Sequence, residues 1–304
     1  MPEPMAPPVT VACLGDVMLD VLVEAPAGLV PDDDTPARIT FAAGGQAANV
    51  AGWVASLGGT ARVVGPRSVH GHGLLVSEAL AARGVTVHGP LVACPGAVVS
   101  IVAAGSRSLA SDAGDISWLS RLEPDRWLAG VDWLFVSGYA LLRAPAPEAI
   151  LLLAAMARAQ GSRIAVDLAS GSMVTAYGAE RFRTLWQSLE PSAVFANDAE
   201  WAATHPPGTP LASSELGSGG RSVLVLKHGS RGATFIVDGV PDPRPPVPGP
   251  VVDATGAGDA LTAGFLVGGA DLAMSTAARC IARVGAQPEP VPDSSTSDSP
   301  GHDA

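Results

Sequence analysis

Lysine is almost missing from this chain: Lys227 is the one lysine among 304 residues, and every other basic side chain is an arginine. Cysteine is nearly as scarce. Cys13, Cys94 and Cys280 are scattered, odd in number, and form neither a Cys-x-x-Cys pair nor a Cys/His cluster. That excludes a disulfide framework and a structural zinc site, and it fits a reduced, cytoplasmic setting. Long apolar runs are lacking as well, since Ala149 to Ala155 falls far short of the ~20 residues that cross a bilayer. The opening MPEPMAPPVT carries no basic stretch followed by an apolar one, so we read no signal peptide there and expect no membrane partner. With a net charge of −11 there is no basic stripe to displace counterions from phosphates, which argues against a nucleic-acid partner. The abundance of Ala, Gly, Pro and Arg reads as codon bias of a GC-rich genome, which bears on origin and not on function.

What is present is globular. Hydrophobic residues make up 47% and charged residues 15%, enough to bury a sizeable core and too apolar for disorder. Short β-branched runs alternate with helical stretches. Val9 to Cys13 reads as a first strand ending at Gly15, Gln46 to Leu57 as a helix closed by Gly58-Gly59, and Ala61 to Val64 as the next strand. Leu74 to Arg83, Pro147 to Gln160 and Ala179 to Ser188 read as helices. Trp133 to Val136, Arg163 to Leu168, Ala193 to Phe195 and Val223 to Leu226 read as buried strands. The expectation is an α/β fold with a doubly wound, mostly parallel sheet and helices on both faces. Two strand-rich excursions, about 21–41 and 91–109, interrupt the rhythm and predict a small β-sheet lid. We expect an N-terminal tail over 1–8, one domain over 9–286, and a Pro/Ser/Asp-rich disordered tail over 287–304.

The sharpest local signal is VVDATGAGDALTAGF, 251–265. Its glycines let the backbone turn N–H groups inward, and a helix starting there adds its positive dipole end. Gly256, Ala257 and Gly258 thereby offer an anion hole for a phosphoryl group, with Asp259 at its mouth as a proton acceptor. A plain strand-to-helix turn would use the same glycines. The segment does not fit the dinucleotide fingerprint, and a Walker A loop is excluded because Lys227 is followed by His228. Taken as residues alone, Asp16 and Asp20 read equally well as solvated loop acids, Glu200 as a surface helix acid, and Lys227 as a snorkelling strand end. Asn49 sits in an apolar, small-residue helix start, where an amide needs a partner or serves as the N-cap.

DATGAGDALTAGF closely resembles the C-terminal signature of the ribokinase-like (PfkB) carbohydrate kinases. AAGGQAANVAGWVASLG, 42–58, resembles their N-terminal signature, in order and at the expected distance. The resemblance spans 9–286 and implies an ATP-dependent transfer of phosphate to a hydroxyl of a small sugar or sugar derivative, with Asp259 as base. It implies acceptor contacts at Asp20, Gly44, Gly45 and Asn49. Nucleotide contacts are implied at Asn197, Lys227, Gly229, Gly232 and Thr255. Mg2+ is implied near Glu200 through water, K+ near Asp253, and a homodimer through the lid. Met18 replaces a polar residue common in sugar-specific members. The 66–73 segment departs from the usual Val-Gly-x-Asp-x-x-Gly. VDLASGS, 166–172, resembles the nucleoside-phosphorylating members, so a nucleoside acceptor stays open, as does a catalytically silent binder of sugar or nucleotide.

Overall fold

The computed structural model describes residues 7–103, 106–205 and 222–290. In chain order the elements are β1 (Thr10–Leu14), β2 (Met18–Ala25), β3 (Arg38–Gly44), α1 (Gln46–Ser56), β4 (Thr60–Val64), α2 (His72–Ala81) and β5 (Thr86–His88). There follow β6 (Pro95–Ala103), β7 (Ser106–Gly114), α3 (Pro124–Trp127), β8 (Trp133–Ser137), α4 (Gly138–Arg143), α5 (Glu148–Ala159) and β9 (Arg163–Asp167). The remainder are α6 (Gly171–Tyr177), α7 (Ala179–Gln187), β10 (Ala193–Asn197), α8 (Asp198–Thr204), β11 (Val223–Lys227), β12 (Ala233–Val237), β13 (Val240–Arg244) and α9 (Ala257–Ile281).

Nine strands form the main sheet in the order β13-β12-β11-β10-β9-β8-β1-β4-β5. From β11 to β5 every pairing is parallel, and only the β11–β12 and β12–β13 edges are antiparallel. Both faces are covered, and the period of two along each strand shows it: Val11 and Cys13 join one apolar cluster while Ala12 and Leu14 join the other. The first cluster draws on α1 and α9, the second on α4, α5 and α7. Because the strands run in parallel, their carboxyl ends line one edge. That edge brings together Ser137, Asp167, Asn197 and Lys227, the place where ligands bind in open α/β sheets.

Beside it stands a separate four-stranded sheet, β3-β2-β6-β7, the lid expected from the two strand-rich excursions. Pairing of Met18 with Gly44 and of Asp20 with Ala42 puts Asp20 on the same lid face as Gly44. The opposite face is apolar, carrying Ile39, Phe41, Val21, Val23, Val99 and Ile101.

α9 is long and apolar enough, by length and composition alone, to cross a membrane, and half of that apolar stretch is buried inside the protein. Non-helical backbone at Gly268 and Gly269 breaks it, and its second half folds back onto the first. The expected domain end at 286 needs correction: Gln287 and Pro288 are buried, and the Pro288 carbonyl accepts a bond from Arg83 Nε at 2.8 Å. Of the tail expected over 287–304, residues 291–304 lie outside the described residues, as do residues 1–6 of the N-terminal tail.

The fold-back of α9 depends on Gly264, where an added Cβ would lie 2.6 Å from the Leu272 carbonyl oxygen and 2.7 Å from Ala273 Cα. Both are backbone atoms and cannot swing away. Gly264→Ala should therefore destabilise the protein by about 1–3 kcal/mol despite its better helix propensity, as read by urea unfolding. An unchanged or raised midpoint would show that the two halves of α9 are not locked together.

Candidate active site

Asp253 to Asp259 turn from an extended segment into α9. Gly256 is the N-cap, at φ 75 in the left-handed region, and a Cβ there would meet Ala286 Cβ at 2.5 Å. Only glycine satisfies both demands. The amides at the start of α9 have no carbonyl partner within the helix. That of Ala257 donates instead to the Ala254 carbonyl at 3.3 Å, which takes it out of the expected anion hole and leaves Gly258 and Asp259 as the donors at the positive end. Asp259 stands in that first turn. Gly258 has ordinary helical backbone. Lys227 packs beside it, with Nζ 3.4 Å from where a Cβ would be, so a methyl there would make ordinary contact. Asp253 braces the turn: Oδ1 accepts from the Thr255 amide (2.9 Å) and hydroxyl (2.6 Å), and Oδ2 from the Gly285 amide (3.0 Å).

Lys227, at the end of β11, does not snorkel to solvent. Its Nζ donates to Asp167 Oδ2 at 2.6 Å, and the pair is almost entirely enclosed, at 15% and 1% side-chain exposure. Burial alone would lower the lysine's pKa, but the carboxylates of Asp167, Glu200 and Asp259 outweigh it and hold it above the usual value. Glu200 is buried as well, contrary to the surface-acid reading. It closes a capping box on α8, with the Glu200 amide donating to Asn197 Oδ1 (2.9 Å) and Oε2 accepting from the Asn197 amide (2.8 Å). Burial and the nearby Asp167 push the Glu200 carboxyl up to about 7, against the opposing pull of Lys227. Asp259 is pushed up to about 7 by burial, opposed by a hydrogen bond from Asn49, with Asp167 and Asp20 adding to the rise.

The N-cap of α1 is Gly45, so Asn49 is no cap. Its Nδ2 donates to Asp259 Oδ2 at 2.8 Å, and its Oδ1 accepts from Gln287 Nε2 at 2.8 Å. Asp20 lies directly over Gly44, where a Cβ would fall 2.1 Å from its carboxyl carbon. Asp16 is buried and ion-paired with Arg143, which also covers the Tyr139 ring. The solvated-acid reading therefore fails for Asp16. At the far side Gly229 and Gly232 shape the turn after β11. Asp198 ties that turn to α8 through His228 Nδ1 (2.6 Å) and Arg231 (2.5 Å). An open cleft of about 730 Å3 adjoins Glu200, lined by Tyr139, Ser170, Ser172 and Asn197.

The geometry thus gathers Asp20, Gly44, Gly45, Asn49, Asn197, Glu200, Lys227, Thr255 and Gly256–Asp259 at one edge. The model of the pfkB family of carbohydrate kinases matches residues 9–287. The chain belongs to this family. It is similar in structure to the adenosine kinase of Sinorhizobium meliloti, at 24% identity, covering 93% of this chain and 96% of that one, with a TM-score of 0.78. It is also similar to the ribokinase of Thermotoga maritima, at 22% identity, 92% and 94% coverage and a TM-score of 0.72. A third is an uncharacterized sugar kinase of Pyrococcus horikoshii, solved in complex with ATP, at 20% identity, 91% and 93% coverage and a TM-score of 0.74. No curated protein sequence matches the chain significantly. As a pfkB-family kinase it uses ATP and acts on a small molecule.

Sequence reasoning missed Asp167, Arg143 and Gln287. Asp167 had a signal, an acid ending an apolar strand; Arg143 had none. Mg2+ fits as an indirect guest. Among the described residues no three His, Cys, Asp or Glu side chains converge to ligate an ion, and Glu200 spends both oxygens on Asn197. Glu200 and Asn197 would hold such an ion through water.

Because Asp259 binds its proton more tightly folded than unfolded, its contribution favours folding below pH ~4 and is lost as pH rises through about 7. Asp259→Asn should remove that loss. Its stability relative to the parent should rise by about 1–3 kcal/mol between pH 4 and pH 8, less than full burial would give because the carboxyl still reaches the cleft. A pH-independent difference in melting would contradict the raised pKa.

Proposed function

We propose that this kinase transfers the γ-phosphoryl group of ATP in line to a hydroxyl of a small sugar or sugar derivative, with Asp259 as general base. The observation that carries the reading is the position of Asp259: in the first turn of α9, beside the free amides, and pushed up to about 7. A base poised there takes the hydroxyl proton as the oxygen attacks phosphorus. The new O–P bond forms, the bond from γ-phosphorus to the bridging oxygen breaks, and ADP leaves with the electron pair. The amides of Gly258 and Asp259, with the Lys227 ammonium beside Gly258, would meet the negative charge that gathers on the transferring group. Mg2+, near Glu200, would neutralise phosphate charge, and K+ would be held at Asp253.

On the acceptor side, Asp20 would accept two hydroxyl hydrogen bonds, with Gly44 and Gly45 allowing close backbone approach and Asn49 facing the same hydroxyl as Asp259. Arg143 supports an uncharged acceptor, since Asp16 already neutralises its guanidinium. Asn197, Gly229, Gly232 and Thr255 would hold the nucleotide. Asp20 stands on a lid strand, so lid closure would bring acceptor contacts and exclude water together. The apolar outer face of the lid, with Phe41 61% and Ile39 56% exposed, is the surface on which two copies would pair. The reading places the protein in the cytoplasm.

A coupled ADP-release assay over free sugars, sugar phosphates and ribonucleosides tests this. A free sugar should drive turnover. A ribonucleoside preference would move the reading to the nucleoside branch, and binding without turnover across the panel would leave a silent binder. In the active pairing, Asp259→Asn should lower kcat by roughly 10²–10⁴-fold with little change in KM for ATP.

Asp20→Ala should raise KM for the acceptor about tenfold or more, since charge-assisted bonds are worth roughly 1.5–3 kcal/mol each. KM for ATP should hardly move. A defect confined to ATP would take Asp20 out of the acceptor site. Asp16→Ala cannot serve as the mild control, because it strands a buried Arg143.

A further inference from the structure

Residues 287 and 288 read from composition as the start of a polar tail, yet the whole 285–288 segment is clamped into the site. The Gly285 amide is held by Asp253, and Ala286 packs on Gly256. The Ala286 carbonyl accepts from Trp53 Nε1 at 2.8 Å, the Gln287 carbonyl from Arg283 at 3.2 Å, and the Pro288 carbonyl from Arg83 at 2.8 Å. The result is to aim one carboxamide inward. Gln287 is 8% exposed, its Nε2 reaches Asn49 Oδ1, and its Oε1 lies against α1 at Gly52.

We propose that Gln287 is a positioning residue for the general base, acting through Asn49 to keep Asp259 oriented and ionisable. It rests on the reading of Asp259 as the base. An ionised carboxylate only accepts hydrogen bonds, so Asn49 must present Nδ2 to Asp259. That turns Asn49 Oδ1 away, toward Gln287, which must then donate. With Gln287 donating, the reverse rotamer of Asn49 would place Nδ2 against Nε2, two donors face to face, and Oδ1 against the carboxylate, two acceptors. In the observed orientation the chain runs Gln287→Asn49→Asp259 and favours the charged form of the base; Gln287 Oε1 has no hydrogen-bond partner, so packing against Gly52 is what keeps the carboxamide from turning over. Other groups set the background: Asp167 from β9, Glu200 from α8, Asp20 from β2, Cys280 from the far end of α9 and Tyr139 from α4 act against ionisation or are raised by it, while Lys227 from β11 favours it. Arg283 lies beyond Gln287, over the Trp53 ring. None of these fixes the Asn49 rotamer.

The test replaces the donor with an acceptor of the same size. In Gln287→Glu the introduced carboxylate should draw Asn49 Nδ2 to itself and turn Oδ1 toward Asp259. The acid limb of the kcat profile should then move up by about one pH unit, with kcat at pH 7 reduced several-fold and KM for ATP unchanged. A second variant guards against misfolding. Gly52→Ala favours the helix, but its Cβ would fall 2.2 Å from Gln287 Oε1 and displace the carboxamide, so it should shift the limb the same way.

A readout independent of turnover is the pH dependence of stability from pH 4 to 9 for the parent, Gln287→Glu, Asp259→Asn and the double variant. The Asp259-dependent part should move to higher pH in Gln287→Glu and vanish in the Asp259→Asn background. If that shift appears and no acceptor is phosphorylated, the relay stands and the kinase assignment of the base falls. If acceptors are phosphorylated and neither the acid limb nor the stability profile moves in either variant, Gln287 only packs and the proposal is overturned.

Discussion

Three carboxylates share one ammonium in this cleft. The Asp167 charge adds to the burial that raises the proton affinity of Glu200 and Asp259, and Lys227 is bonded to Asp167, the most buried of the three. Removing the lysine would leave an uncompensated charge at the carboxyl edge of the sheet, a costly state in a dry site. With it, Asp167 is neutralised, and Glu200 and Asp259 are left near the middle of the pH scale, where a carboxyl can both lose and regain a proton. The sheet exists to hold this arrangement. Parallel order β11-β10-β9 places Lys227, Asn197 and Asp167 on neighbouring strand ends, and α9 enters from the opposite side with Asp259 in its first turn.

The second constraint is steric. Gly256 lets the chain turn left into α9 while Ala286 presses on it, so the loop that carries the free amides is backed by the segment that carries Gln287. Asp253 ties both to each other. A disturbance at residue 286 would thus be felt at the amides and at the base together, without crossing the sheet.

Much of this was legible because local rules agreed. Gly58-Gly59 follows the C-cap Leu57, two residues beyond the observed end of α1 at Ser56, and the DATGAGDA run announces the start of α9 at Ala257. The strand-rich excursions gave the lid without its pairing order. What was illegible depends on distance along the chain. Lys227 meets Asp167 across 60 residues and Arg143 meets Asp16 across 127, and no periodicity links such pairs. Glu200 could have been placed better, since Asn-x-x-Glu before an apolar run is itself a capping-box pattern that fixes the glutamate against the helix start. Gln287 was hidden differently. Composition averages over a window, and the Pro/Ser/Asp tract after it swamped the one carboxamide that is buried.

The scarcity of lysine then acquires a structural meaning. Elsewhere in the chain arginine serves every cationic task, including Arg143 in a buried ion pair and Arg158 in a half-exposed one with Glu190. At 227 the ammonium is bonded to Asp167 at 2.6 Å and lies in ordinary contact distance of Gly258, 3.4 Å from where a Cβ would be. A compact point charge on a flexible stem fits between the carboxylate and the glycine and leaves the space above them open. Lys227 meets Asp167 through a single oxygen, a contact that asks for a point charge rather than a fork.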